Sequence, residues 1–235
     1  MARQVAVPIC ECCPLRAHNA LRTLEQGEVA ALDEVKGCYF YRRGEIIFRE
    51  GSYPAGIYCV HQGAVKLYRS DALGNLVIVR LAKQGDLLGY RALLSNEHYT
   101  ATAEALEDCV LCFIPRPTFF ELLRRNADLM AAITELLARD LRTAESRLAS
   151  LAQKTVPQRL AEILLYLREL FGEDESGALK TTMTRRELAE LVGTAPETVI
   201  RLLSDFQRKK LVSVDHRHIR VLDPAGLAHV AELYD

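Results

Sequence analysis

Near Pro117 the apolar residues change their spacing, from short runs typical of strands to the three- and four-residue steps of helices, and few folds accommodate that order. Before the change, Glu45–Phe48, Gly56–Val60, Ala64–Tyr68, Leu76–Leu81 and Cys109–Ile114 read as short strands, with glycines at 44, 51, 63, 74, 85 and 89 between or beside them. A small all-β roll is expected there. After it, Met130, Ile133, Leu137, Leu141, Ala144, Leu148 and Leu151 form a heptad seam, with Glu135, Arg139, Arg142, Glu145 and Arg147 off it. The seam predicts a long dimerisation helix, with packing on the chain's own domain as the alternative.

A second helical stretch follows Pro157, with apolar residues at 160, 163, 164, 167 and 170. Beyond the loop 172–177, Thr184 and Glu187 are spaced as a capping box opening a helix to Val192. Gly193 interrupts that helix, and a further one is predicted over Val199–Lys209, with Val199, Leu202, Leu203 and Phe206 on one side and Glu197, Ile200, Arg201, Ser204 and Arg208 off it. Helix, tight glycine turn and helix make a helix-turn-helix. The runs 211–214 and 218–222 around Asp215–Arg217 read as a hairpin, the wing of a winged helix.

Charge points the same way locally. The chain of 235 residues has 30 basic and 31 acidic residues and a net charge of −1, yet residues 180–220 carry nine basic and five acidic ones. A basic patch beside a helix-turn-helix predicts a nucleic-acid partner, double-stranded DNA. A bare solvated helix face, as in a DNA-independent scaffold, is the alternative. No apolar run is long enough for a membrane helix and no secretory h-region opens the sequence, so a cytoplasmic protein without a membrane partner is expected. Walker A, His-Glu-x-x-His and Gly-x-Ser-x-Gly motifs are absent, so an enzyme, including a cysteine-dependent redox or metal enzyme, is not expected.

All seven cysteines (10, 12, 13, 38, 59, 109 and 112) lie in the first 112 residues. In a reducing compartment this favours metal, redox or core roles over structural disulfides. Cys109 and Cys112, three apart on a strand, should point to opposite faces. Cys59, in an apolar run, reads as a small core hydrophobe. For Cys10, Cys12 and Cys13, an iron–sulfur cluster, a thiol/disulfide switch, zinc and no sensory role are all open.

From about residue 10 to 230 the chain resembles the CRP/FNR family of bacterial transcription regulators. The resemblance rests on Arg43-Gly-Glu45, Phe48, Gly51, Gly63, Gly85-Asp-Leu-Leu-Gly89, the long helix, Thr184-Arg185 and Glu197-Thr-Val-Ile-Arg201. It implies an α+β fold: a cysteine-bearing N-terminal segment (1–25), a cyclic-nucleotide-binding-like β roll (26–125), a dimerisation helix (126–154) and a winged helix-turn-helix (155–235). It also implies a homodimer on an inverted-repeat operator, with RNA polymerase as a partner and DNA contacts from Thr184, Arg185, Thr194, Pro196, Glu197, Thr198, Ile200, Arg201 and Arg217. Glu197 and Arg201 fall at the base-reading positions, Glu suited to cytosine N4 and Arg to guanine O6 and N7, so a TGA-type core is expected. Ile200 and Pro196 depart from the family pattern.

Members that bind cyclic AMP resemble one another in a phosphate cassette, where this chain has Tyr90-Arg91 and Tyr99-Thr100, so no cyclic AMP is expected. Members like FNR hold a four-iron, four-sulfur cluster on three N-terminal cysteines and one before an Ile-Pro pair. Cys112, in Cys112-Phe-Ile-Pro115, matches the last; Cys10 and Cys13 supply a C-x-x-C pair, and Cys12 or Cys38 would complete the set.

Overall fold

The computed structural model describes residues 3–6, 8–181 and 183–233. They form two compact units, one of residues up to 75 and from 79 to 142, the other of residues 76–78 and from 143 onward.

The first unit holds β1 (Arg3–Gln4), α1 (Gln26–Val35), β2 (Gly37–Tyr41), β3 (Ile46–Phe48), β4 (Gly56–Gln62), β5 (Val65–Ser70), β6 (Leu76–Ala82, running from the second unit's residues 76–78), β7 (Leu87–Leu88), α2 (Tyr90–Ser95), β8 (Thr102–Ala105), β9 (Cys109–Pro115) and α3 (Arg116–Arg125). It also holds the start of α4 (Ala127–Gln153). Two sheets make the roll, in the orders β1-β2-β9-β4-β7 and β3-β8-β5-β6. Alternation sorts the side chains of the first sheet. Tyr41, Val60, Cys109 and Leu111 point into the roll, whereas Ile57, Cys59 and Ile114 face a second cluster built from Val29, Leu32, Phe119, Leu123 and Leu129. At Gly56 a Cβ would sit 2.1 Å from the Ile114 carbonyl oxygen, so only glycine lets β4 lie this close to β9.

Four strands of the first unit, β1, β2, β7 and β8, are not among those named from the sequence. β1 and β7 are two residues long, and β8 is Thr102-Ala-Glu-Ala105, where two alanines and a glutamate of weak strand preference are held extended by pairing with β3 and β5. The seam of α4 also divides. Ile133 is buried in the roll-side cluster with Leu129 and Ala132, whereas Leu141 (61% exposed), Leu148 (69%) and Leu151 (44%) are open on the single chain. The alternative of packing at home therefore holds for the helix's first turns.

The second unit holds the rest of α4, α5 (Val156–Phe171), α6 (Arg185–Val192), α7 (Pro196–Arg208), β10 (Val212–Asp215), β11 (His218–Val221) and α8 (Pro224–Val230). The capping box forms: the Glu187 N–H donates to Thr184 Oγ1 (3.1 Å) and the Thr184 N–H to Glu187 Oε2 (2.8 Å). Gly193 ends α6 in the left-handed region at φ 76°. Helix α7 starts three residues before the expected Val199, because Pro196 occupies its first turn, where the missing N–H costs nothing and the fixed φ suits the helix. The β10–β11 pairs run from Val212–Val221 to Asp215–His218, leaving His216 and Arg217 as a two-residue turn.

Phe119 is fully buried, so Phe119→Ala should cost about 3–5 kcal/mol in urea unfolding monitored on the first unit. Gly193→Ala should cost about 1 kcal/mol, the strain of a Cβ at positive φ.

Candidate functional sites: a thiol-lined cavity and an exposed helix face

Residues 8–25 lie against the outer face of the first sheet through two 3₁₀ turns, Pro14–His18 and Ala20–Thr23. Their anchor is Lys36, itself only 6% exposed, which donates to the Pro8 carbonyl, the Asp33 carboxylate and Cys10 Sγ, the last at 2.7 Å. Asp33 also accepts from the Cys10 N–H at 2.8 Å. Burial disfavours the Lys36 ammonium, but Asp33 and Cys10 outweigh that and hold it above the ordinary lysine value. Burial pushes the Cys10 thiol up to about 11, against the pull of Lys36.

Cys10 and Cys13 sit on one turn, closed by the Cys13 N–H donating to the Cys10 carbonyl at 3.2 Å. Under that turn lies a cavity of about 30 Å³, room for about one water, lined by Cys10, Cys13, Cys59, Cys112, Lys36 and His61 among others. Cys112 stands opposite Cys38 on one neighbouring strand and opposite Cys59 on the other. Cys38 Sγ is 2.7 Å from Cys112 Sγ; this contact draws the Cys38 thiol below its usual value and raises that of Cys112, which burial raises further. Cys13 Sγ is 4.0 Å from His61 Nδ1, and burial lowers the His61 pKa.

The structure thus brings together Cys10, Cys13 and Cys112, which the sequence joined across about a hundred residues, and leaves two other expected candidates outside. Cys12 is exposed, its thiol turned to the Ile9 carbonyl at 3.6 Å. Cys38 is buried beside Cys112 and does not line the cavity. Cys59, expected as plain core, does line it, because its β4 position faces outward. Cys109 packs inside the roll. Among the described residues no three His, Cys, Asp or Glu side chains converge on a single-ion position, so the thiols are spread around the cavity.

Within the roll, a second cavity of about 30 Å³ is bounded by Phe48, Arg80, Tyr90, Arg91, Tyr99 and Thr100 among others. On its wall Phe48 stacks on Tyr99, ring centroids 3.9 Å apart. Its cations face Asp140 of α4: Arg80 Nη1 lies 3.3 Å and Arg91 Nε 3.9 Å from Asp140 Oδ2, and the Tyr90 hydroxyl donates to the same oxygen.

In the second unit, α7 buries Val199, Leu202, Leu203 and Phe206 and exposes Glu197, Ile200 and Arg201. Thr194, Pro196 and Thr198 are half-buried around its start, and Arg217 is exposed at the hairpin tip. Thr184 is committed to its cap. Arg185 donates through Nη2 to the His216 carbonyl at 2.6 Å, while its Nη1 is buried with no partner. Arg159 donates to the carbonyls of Val192 (3.0 Å) and Gly193 (3.2 Å), fixing the turn between α6 and α7.

A roll of this topology followed by a winged helix-turn-helix defines a class of DNA-binding transcription regulators, and the comparisons narrow it. Residues 39–126 match the cyclic nucleotide-binding domain family, and residues 158–230 the Crp-like helix-turn-helix domain family. The crystal structure of a CRP/FNR-family transcriptional regulator from Thermus thermophilus is 30% identical, covering 83% of this chain and 98% of that one at a TM-score of 0.70. The transcriptional activator protein Anr of Pseudomonas protegens is 28% identical over 94% of this chain and 92% of its own. The CRP-like cAMP-activated global transcriptional regulator of Mycobacterium tuberculosis is also 28% identical, over 88% of this chain and 94% of its own. The chain belongs to the CRP/FNR family of transcription regulators. No helix among the described residues is long and apolar enough to cross a membrane.

Asp33 anchors the thiol-bearing turn as a carboxylate. Burial raises its pKa, yet Lys36 and the Cys10 N–H outweigh this and hold it below the ordinary value. Its stabilisation is therefore complete above about pH 4 and lost as pH falls through the lowered folded value. Asp33→Asn should cost about 1.5–3 kcal/mol at pH 7, and the difference between variant and wild type in urea titrations should shrink as the pH falls through the lowered folded value.

Proposed function

We propose that this chain acts as a cytoplasmic homodimer that binds an inverted-repeat operator in double-stranded DNA, works with RNA polymerase rather than as an enzyme, and senses oxygen or redox state through an iron–sulfur cluster. The observation that carries the sensor reading is the meeting of Cys10, Cys13 and Cys112 on one cavity. The donor set suits such a cluster: soft thiols in an apolar lining, with the Lys36 ammonium on Cys10 to offset their negative charge. At about 30 Å³ the cavity must widen, which falls to the turn rather than to the sheet. When bound, the cluster supplies oxygen-labile redox chemistry; the chain's own residues hold residues 8–25 against β4 and β9.

Cyclic AMP is disfavoured as the signal by the roll interior, where Phe48 and Tyr99 stack on the cavity wall and Arg80 and Arg91 face Asp140. DNA contacts are assigned to Glu197 and Arg201 as base readers, to Arg185 at the start of α6, to Arg217 at the wing tip, and to Thr184, Thr194, Pro196, Thr198 and Ile200 around the start of α6 and along α7. The open stripe Leu141, Ala144, Leu148 and Leu151 supports pairing of two copies, with recognition helices about 34 Å apart.

A thiol/disulfide switch is the second reading, favoured by the 2.7 Å approach of Cys38 and Cys112. The two readings separate in one experiment. Protein purified without oxygen should carry iron and sulfide and a broad visible absorption, and should bind operator DNA more tightly before than after exposure to air. A colourless protein whose Cys38–Cys112 pair oxidises on treatment with peroxide would favour the switch.

For DNA, Arg201→Ala should cost about 1–3 kcal/mol and relax the preference at one guanine, measured by competition against single-base operator variants; equal weakening on all sequences would make Arg201 a phosphate contact. Leu141→Asp should leave the chain folded yet shift sedimentation from dimer to monomer, because the pairing would bury an unpaired carboxylate.

A further inference from the structure

The sensor reading above leaves a set of three thiols, Cys10, Cys13 and Cys112, one short of the four that such a cluster takes. The two cysteines that the sequence offered for the gap do not line the cavity. Cys12 points to solvent and to its own loop, and Cys38, paired with Cys112 and on the same face of the sheet, is buried at its far side, away from Cys59 and the turn 10–13.

Cys59 occupies the gap. On β4 it faces away from the roll, in step with Ile57 and out of step with Tyr58 and Val60. Register puts it directly opposite Cys112 on β9, and directly opposed residues of an antiparallel pair project to the same face with Cβ atoms about 5 Å apart. Two residues along the same face, His61 meets Cys13. Above Cys59, Asn19 Nδ2 lies 3.7 Å from its sulfur, so the N-terminal segment closes over this thiol. Four thiols from three separate stretches, the turn 10–13, β4 and β9, therefore line one cavity.

We infer that Cys59 is the fourth ligand, so that this chain holds its iron–sulfur cluster on Cys10, Cys13, Cys59 and Cys112. The inference rests on the iron–sulfur reading and adds to it a ligand supplied by the sheet instead of the N-terminal segment. Cys38, its thiol against Cys112, stands outside the ligand set.

The test is reconstitution of the full-length protein with ferrous iron and sulfide under anaerobic conditions, followed by iron and sulfide analysis and the visible spectrum. Wild type should hold about four irons per protomer. Cys59→Ser and Cys59→Ala, the second adding no polar group, should each lose most of that iron while keeping the wild-type far-ultraviolet circular dichroism. Cys12→Ser and Cys38→Ser should keep it. Because Asn19 stands beside Cys59, adding Asn19→Cys to Cys59→Ser should return a thiol to the same mouth and restore the iron. A folded Cys59→Ala protein with the full iron and sulfide of wild type overturns Cys59 as a ligand and leaves the iron–sulfur reading intact. A wild type that takes up neither iron nor sulfide overturns that reading, and the inference with it.

Discussion

The register of β9 between β2 and β4 is the constraint on which the thiol cavity depends. Pairing of Cys112 with Cys38 on one side and Cys59 on the other lays three thiols in a row across adjacent strands. A slip of one residue on any strand would send its thiol into the roll, where Cys109 already packs with Leu111. Gly56 is what permits the β4–β9 approach, and Ile57 and Ile114, buried against α1 and α3, hold the outward face outward. The chemistry of the cavity is thus decided by apolar packing beside it.

Inside the roll the cations beside the second cavity already have protein partners. A cyclic phosphate needs a free guanidinium; here Arg80 is nearly surrounded by protein, and its partners are the Tyr90 hydroxyl and the Asp140 carboxylate. Leaving either charge alone would cost more than the pair contributes, so Arg80 and Asp140 hold each other in place. Stacked Phe48 and Tyr99 line the same cavity.

Much of the fold could be read from the sequence because local chemistry dictated it. Thr184, Glu187 and Gly193 define α6 through a capping box and a left-handed stop, features that need no tertiary partner. The start of α7 was misplaced by weighing the apolar stripe above Pro196. The role of Ile133 was hidden because a heptad does not say whether its partner is another copy or the chain's own α3. Cys59 was hidden for a related reason. Which way a strand residue faces is legible from its neighbours, but that Cys59 lies against Cys112 and under Asn19 depends on pairings forty to fifty residues away. The exposed face of α7 was the opposite case, since its buried residues Val199, Leu202, Leu203 and Phe206 leave Glu197 and Arg201 no other direction.

The thiols also differ in how firmly they are held, and that difference has a direction. Cys59 and Cys112 belong to strands paired on both sides, whereas Cys10 and Cys13 belong to a short turn kept in place by Lys36, Asp33 and Arg16, the last donating to the Cys10 and Leu24 carbonyls at 3.1 and 3.4 Å. Local opening starts where buried apolar contacts are few, so the turn yields before the sheet. What the turn touches next is the beginning of α4. Asn126 donates through Nδ2 to the Thr23 carbonyl (3.0 Å) and to Glu28 (2.7 Å), and its Oδ1 accepts from the Leu129 N–H at 2.8 Å, capping the helix. Any shift of residues 10–24 therefore presses on the first turn of the helix that carries the open leucine stripe. The contact is a contiguous run of hydrogen bonds within one unit, which gives the N-terminal segment a physical hold on α4 without passing through the roll interior.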